Sequence, residues 1–132
     1  MYLVDTSVWI DYFREIENES TKKLTSIFER NLSFGITGVI YQEILQGAAS
    51  EKDFDELKDY LVTQHFFYPQ DEMLTYESAA KLFYLCRRKD ITIRSTIGCF
   101  IAQIAIEHEV VLLHNDQDYY RIQSVVPELL LM

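Results

Sequence analysis

The strongest restriction on the fold is the alternation of short apolar runs with longer segments of helical periodicity. Val110-Val111-Leu112-Leu113 is β-branched-rich and carries no polar side chain on either face, the pattern of a strand buried on both sides. Tyr2-Leu3-Val4 and Leu32-Ser33-Phe34-Gly35-Ile36 are two further runs, followed by Asp5-Thr6-Ser7 and Thr37-Gly38, polar residues suited to opening a helix. A polar stretch from Glu15 to Ser20 leads into a helix carrying Leu24, Ile27 and Phe28, and Gly47 is placed to end the helix that starts at Thr37-Gly38. Phe54, Leu57, Tyr60 and Leu61 fall at helical spacing within Glu51 to Val62, and a short strand is predicted over His65 to Tyr68, stopped by Pro69. Asp71 to Lys89 reads as a long amphipathic helix, and Ser95-Thr96 precede another that ends near Glu107. Strands and helices in this order predict an α/β three-layer sandwich, a mainly parallel sheet with helices on both sides.

No repeat, low-complexity segment or Gly/Ser-rich linker divides the chain, so residues 1–132 are expected to form a single domain. The formal charge is 12 − 21 = −9, which argues against a protein that coats nucleic acid with a global positive field. Any nucleic-acid role must use a local basic patch, and Arg87-Arg88-Lys89 with Arg94 is the densest one. A helix C-terminus favours cations by itself, so RNA phosphate contact and a solvated helix end are both open for these four residues. The apolar start before Arg14 is too short and wrongly flanked for a signal peptide, and no apolar run approaches the ~20 residues that span a bilayer. A cytoplasmic protein without membrane insertion is expected. Cys86 and Cys99, both in apolar helical contexts, fit reduced core thiols better than a disulfide framework or a zinc site. His65, His108 and His114 show no spacing typical of zinc ligands and read as surface or hydrogen-bonded residues.

The informative residues are acids. In open α/β sheets ligands gather outside the carboxyl ends of the strands. Asp5 follows the first strand directly, and Asp116 and Asp118 follow the Val110–Leu113 run in the same way. Taken singly, each is also an ordinary helix N-cap or turn former. Glu43 is harder to explain so. With Val39 at zero and about 100° per residue, Ile40 lies near 100°, Glu43 near 40° and Ile44 near 140°, so its carboxylate sits within the apolar stripe. A buried arginine partner, a helix rotated to bring Glu43 to the rim, or a cation site would each relieve that burial.

If Asp5, Glu43 and Asp116 converge, two like charges at ~4 Å repel by about 4 kcal/mol at an effective dielectric of 20, and a divalent cation would supply the compensation. All-oxygen ligands favour Mg²⁺ or Mn²⁺ over zinc, and such ions suit water activation and phosphodiester cleavage. Glu43 could then orient or deprotonate the attacking water.

Val4-Asp5-Thr6-Ser7-Val8-Trp9-Ile10-Asp11-Tyr12-Phe13-Arg14 resembles the opening of PIN-domain proteins of the VapC toxin family, with Asp5 at the first acidic position and Thr6 or Ser7 at its hydroxyl neighbour. Thr37-Gly38-Val39-Ile40-Tyr41-Gln42-Glu43-Ile44-Leu45-Gln46-Gly47 is similar to the segment that carries the family's glutamate. Arg94 to Ala102, followed by Leu112 to Tyr119, resembles its C-terminal half, with Asp116 at the last metal-site acid and Asp118 beside it. The resemblance implies a PIN-like fold and a Mg²⁺-dependent endoribonuclease toxin of a bacterial toxin–antitoxin pair. It also implies a homodimer inhibited by a VapB-type antitoxin that carries it to operator DNA, with transfer RNA as the commonest target class.

Gly98 departs from that pattern, because the family normally has a metal-site Asp there. Glycine within an apolar helical stretch is odd on its own account, since it is about 1 kcal/mol less favourable than Ala. Close packing against a neighbouring helix, a natural loss of catalysis, or a variant chosen because the active toxin harms its host would each explain it. Three functions follow: a metal-dependent ribonuclease weakened or disabled by Gly98, a PIN scaffold that only binds antitoxin and its operator complex, and a phosphoacceptor regulator. The last expects paired acids after the first strand and a Lys after the last, and the sequence has neither.

Overall fold

The computed structural model describes residues 1–132. Its elements follow in the order β1 (Tyr2–Val4), α1 (Thr6–Phe13), α2 (Glu19–Glu29), β2 (Phe34–Ile36), α3 (Gly38–Gln46), α4 (Glu51–Leu61), β3 (His65–Phe66), α5 (Glu72–Arg88), α6 (Thr96–Glu107), β4 (Val111–Leu113) and α7 (Gln117–Val125). The four strands form one sheet in the order β3-β2-β1-β4, and every pairing is parallel. Val4 is in register with Leu113, so β1 and β4 end together.

Strand order dictates where the helices lie. Right-handed crossovers from β1 to β2 and from β2 to β3 step in one direction and put α1 to α4 on one face. The return from β3 to β4 passes back over the sheet and puts α5 and α6 on the other. The packing agrees, because α1 meets α2 and α3, α3 meets α4, and α5 meets α6 and α7. The direction of winding reverses between β1 and β4, and the carboxyl ends of those strands are the place where an open α/β sheet leaves a crevice.

Side-chain burial explains the sheet. Leu3, Val4, Ile36, Leu112 and Leu113 are fully buried, as a strand covered on both faces requires. Gly35 permits the β2–β3 pairing, since a Cβ there would lie 2.6 Å from the His65 carbonyl oxygen and 2.7 Å from the Phe67 ring. No helix is long and apolar enough to cross a membrane. Cys86 and Cys99 are free buried thiols, and burial pushes Cys99 up to about 12.

Several boundaries differ from the sequence reading for local reasons. The strand expected from Leu32 starts at Phe34, because Leu32 N–H still bonds Ile27 O at 2.9 Å and closes α2. Asn31, at φ 53°, is the left-handed residue of that cap. Glu15, Asp90 and Glu109 end α1, α5 and α6 in the same way, followed by Ile16, Ile91 and Val110, so this chain uses no glycine for the purpose. Gly47 does end α3, but with φ −88°. The strand expected over residues 65–68 is His65–Phe66 alone; Phe67 N–H adds one bond to Ile36 O at 2.8 Å, and Tyr68 is exposed.

Candidate active site

Asp5 stands where β1 becomes α1. Its N–H continues the ladder to Leu113 O at 2.9 Å, which hangs the side chain over the joint ends of β1 and β4. The carboxylate is buried and accepts three hydrogen bonds: Oδ2 from Ser7 N (3.0 Å) and Ser7 Oγ (2.6 Å), Oδ1 from the Tyr119 hydroxyl (2.7 Å). Ser7 Oγ in turn accepts from Asn115 N at 3.0 Å, tying the residue after β4 to the cap of α1. The N-cap role open to Asp5 on sequence grounds is therefore real, and it coexists with burial that surface caps do not need.

Glu43 reaches the same crevice from α3. Thr6 Oγ1 donates to Glu43 Oε1 at 2.8 Å, so the hydroxyl beside Asp5 carries the glutamate. No Lys or Arg pairs with Glu43, which removes the buried-arginine explanation; the residue sits half-buried at the rim. Burial raises its carboxyl above the usual range, the Thr6 bond works against that rise, and the charge of Asp5 adds to it. A carboxyl raised on folding stabilises the folded state below its unfolded pKa near 4.5 and loses that contribution as pH climbs through the raised value. Glu43→Gln, which can still accept from Thr6, is therefore expected to melt higher than the parent at pH 7, with the difference closing at pH 4. Thermal unfolding at the two pH values checks it, and equal melting at pH 7 would contradict it.

Asp116 caps α7, its Oδ1 accepting from Asp118 N at 2.9 Å and from Arg94 Nη2 at 3.1 Å. Asp118 is held by arginines: its buried carboxylate accepts from Arg94 N (3.0 Å) and Arg121 Nη1 (2.7 Å), with Arg94 Nε 3.6 Å away. The basic patch divides accordingly. Arg87, Arg88 and Lys89 close the C-terminal end of α5, with Arg87 and Arg88 over the Phe83 and Tyr84 rings, whereas Arg94 belongs to the acid cluster.

Tyr119, Asn115 and Arg121 are not singled out as site residues by the sequence, and His114, which reads there as a surface or hydrogen-bonded residue, is hydrogen-bonded and buried. Burial and the negative charges of Asp5, Asp116 and Glu43 push the Tyr119 phenol well above 10, so its proton stays in place to bond Asp5. His114 is buried, and burial lowers its pKa; the neutral ring accepts from Asp116 N at Nδ1 (3.1 Å), and its Nε2 has no partner. His65 is exposed, and His108 Nε2 meets Tyr68 O at 2.7 Å. Tyr119 lies three residues past a helix-capping acid, the spacing that would have pointed it toward the crevice.

The PIN-domain family model matches residues 2–125. Ribonuclease VapC11 of Mycobacterium tuberculosis is 32% identical over 122 residues, covering 90% of this chain and 89% of that protein. The chain is a PIN domain of the VapC family. Solved structures agree on the fold. VapBC2 from Rickettsia felis, bound to a DNA fragment from its promoter, superposes with a TM-score of 0.73 at 16% identity, covering 99% of this chain and 96% of that one. VapBC-1 from nontypeable Haemophilus influenzae gives 0.73 at 19% identity with the same coverage.

Within this PIN domain Gly98 lies in the first turn of α6, and a Cβ built there meets nothing within 4 Å. Close helix packing is therefore not the reason for the glycine. The space is open to a larger side chain, and the acids are the oxygen donors Mg²⁺ or Mn²⁺ takes. Yet no three His, Cys, Asp or Glu side chains are arranged to hold an ion. As they stand, the residues do not make a complete metal site: Asp116 is engaged by Arg94, and position 98 supplies no ligand.

Proposed function

We propose that this VapC-family PIN domain is the toxin of a type II toxin–antitoxin pair, an endoribonuclease for RNA phosphodiester bonds that works weakly because Gly98 replaces a metal-site Asp. The observation that carries the reading is the Asp5–Thr6–Glu43 connection at the β1/β4 switch point, with Asp116 capping α7 just after β4. Asp5 is the fixed acid, oriented by Ser7 and Tyr119. Glu43, held by Thr6 and raised by burial, is suited to orient and deprotonate an attacking water. Asp116 belongs to the same catalytic set, and Asp118 is assigned a positioning role through Arg94 and Arg121. Arg87, Arg88 and Lys89 at the end of α5 are proposed phosphate contacts, and Arg94, beside Asp116, is a separate one. Mg²⁺, with Mn²⁺ as substitute, is the proposed cofactor of the complete acid set.

By analogy with the VapBC complexes, the partner is a VapB-type antitoxin that brings the toxin to operator DNA, and the toxin is a cytoplasmic homodimer of single domains spanning 1–132. Transfer RNA is the proposed target class. A cationic antitoxin tail entering near three carboxylates would neutralise them and block substrate, which suits a chain of charge −9. A second reading, an inactive scaffold for the antitoxin, is favoured by the Arg94–Asp116 pair and Gly98. The test is RNA cleavage with Mg²⁺ or Mn²⁺, run beside a low-salt titration with the antitoxin encoded next to this gene. Weak metal-dependent cutting with tight antitoxin binding supports the ribonuclease, binding without any cutting supports the scaffold, and failure to bind overturns both.

A further inference from the structure

We infer that Arg94 is the built-in counter-ion of Asp116, competing with a divalent cation for that carboxylate, so that Arg94 as well as Gly98 sets the metal affinity of this chain. The inference rests on the reading of the acids as a cation-type nuclease site. Three of the four ion pairs in the chain lie in this cluster: Arg94 with Asp116, Arg94 with Asp118, and Arg121 with Asp118. The four charges balance, two arginines against two aspartates, whereas Asp5 and Glu43 have no Lys or Arg partner. Of the three acids read as the site, Asp116 alone is already paired, in a chain that otherwise has an excess of acids.

Exposed salt bridges ordinarily contribute little, because two long side chains must be ordered to make them. Arg94 differs in being anchored from behind. Its own N–H bonds Asp118 Oδ2 at 3.0 Å, Asp118 is buried and held by Arg121, and Asp116 is fixed by capping α7. The guanidinium therefore meets Asp116 Oδ1 at 3.1 Å from a backbone already in position, although its side chain is 70% exposed and free to leave. A divalent ion approaching Asp116 meets a like charge beside the oxygen it needs and must displace the arginine or accept a weaker ligand. With no carboxylate at position 98 to compensate, the arginine prevails.

The test is Mn²⁺ binding to the full chain without RNA, read from loss of the free-ion electron paramagnetic resonance signal, in the parent and in the Gly98→Asp background. Arg94→Gln is expected to tighten Mn²⁺ binding by roughly tenfold in both, after discounting for solvent screening. Arg94→Lys, which keeps the charge, should stay near its parent. Arg30→Gln, at the exposed end of α2, controls for net charge and should change little. Circular dichroism melts confirm that each variant is folded. Unchanged or weaker Mn²⁺ binding in Arg94→Gln, or equal tightening by Arg30→Gln, would overturn the inference. Because no RNA is present, the outcome stands whether or not the chain proves to cut RNA.

Discussion

Gly98→Asp is expected to raise Mg²⁺-dependent RNA cleavage by about 10²-fold or more, the scale of restoring one preorganised electrostatic group. The substitution should be accepted by the fold, because nothing stands within 4 Å of the new Cβ. The first turn of α6 carries no acid, so a carboxylate there also suits the helix dipole. Electrostatics set the sign of a second readout. A further acid in the proposed site adds repulsion when no cation is bound, so the variant should melt lower than the parent in chelator and recover on addition of Mn²⁺. Cells that tolerate the Gly98 chain should be inhibited by the variant, a difference readable in colony counts on induction. Equal cleavage by the two chains, free of contaminating nuclease, would show that position 98 lies outside the site.

Asp5→Asn in the Gly98→Asp background is expected to abolish that gain, again by 10² or more, with the fold retained. Asn is as good an N-cap as Asp, so Ser7 N keeps its acceptor and α1 keeps its start. What disappears is the negative charge and one acceptor. The carboxylate serves Ser7 and Tyr119 with different oxygens, and an amide can serve only one of those donors through its oxygen. Far-UV circular dichroism with RNA cleavage separates the two effects: native helix content with lost cleavage is the expected outcome. Cleavage equal to that of Gly98→Asp alone would remove Asp5 from the catalytic set.

The strand ends were legible because punctuation and periodicity agree there. Tyr2-Leu3-Val4 before Asp5, and Val110 to Leu113 before Asp116, fix both position and burial, and Glu43 betrays itself as a charge within an apolar stripe. What the sequence hides is pairing across long separations. Asp118 looks like a further catalytic acid beside Asp116, and although Arg121 three residues on in α7 is a pairing the sequence could offer, its other partner Arg94 lies 24 residues away and only the fold reveals it. Tyr119 resembles any core aromatic until its hydroxyl is seen 2.7 Å from Asp5 Oδ1. Gly98 could be a packing glycine on sequence grounds, and only the empty space around it removes that explanation.

The most direct test is a crystal structure of Gly98→Asp grown with Mn²⁺ and phased near the manganese edge. An anomalous peak is expected at ligand distance from Asp5 and from the introduced carboxylate, with the Glu43 rim facing it and Arg94 withdrawn from Asp116 Oδ1. A folded variant with no peak in this crevice at saturating Mn²⁺, or with its only peak elsewhere on the surface, would contradict that expectation.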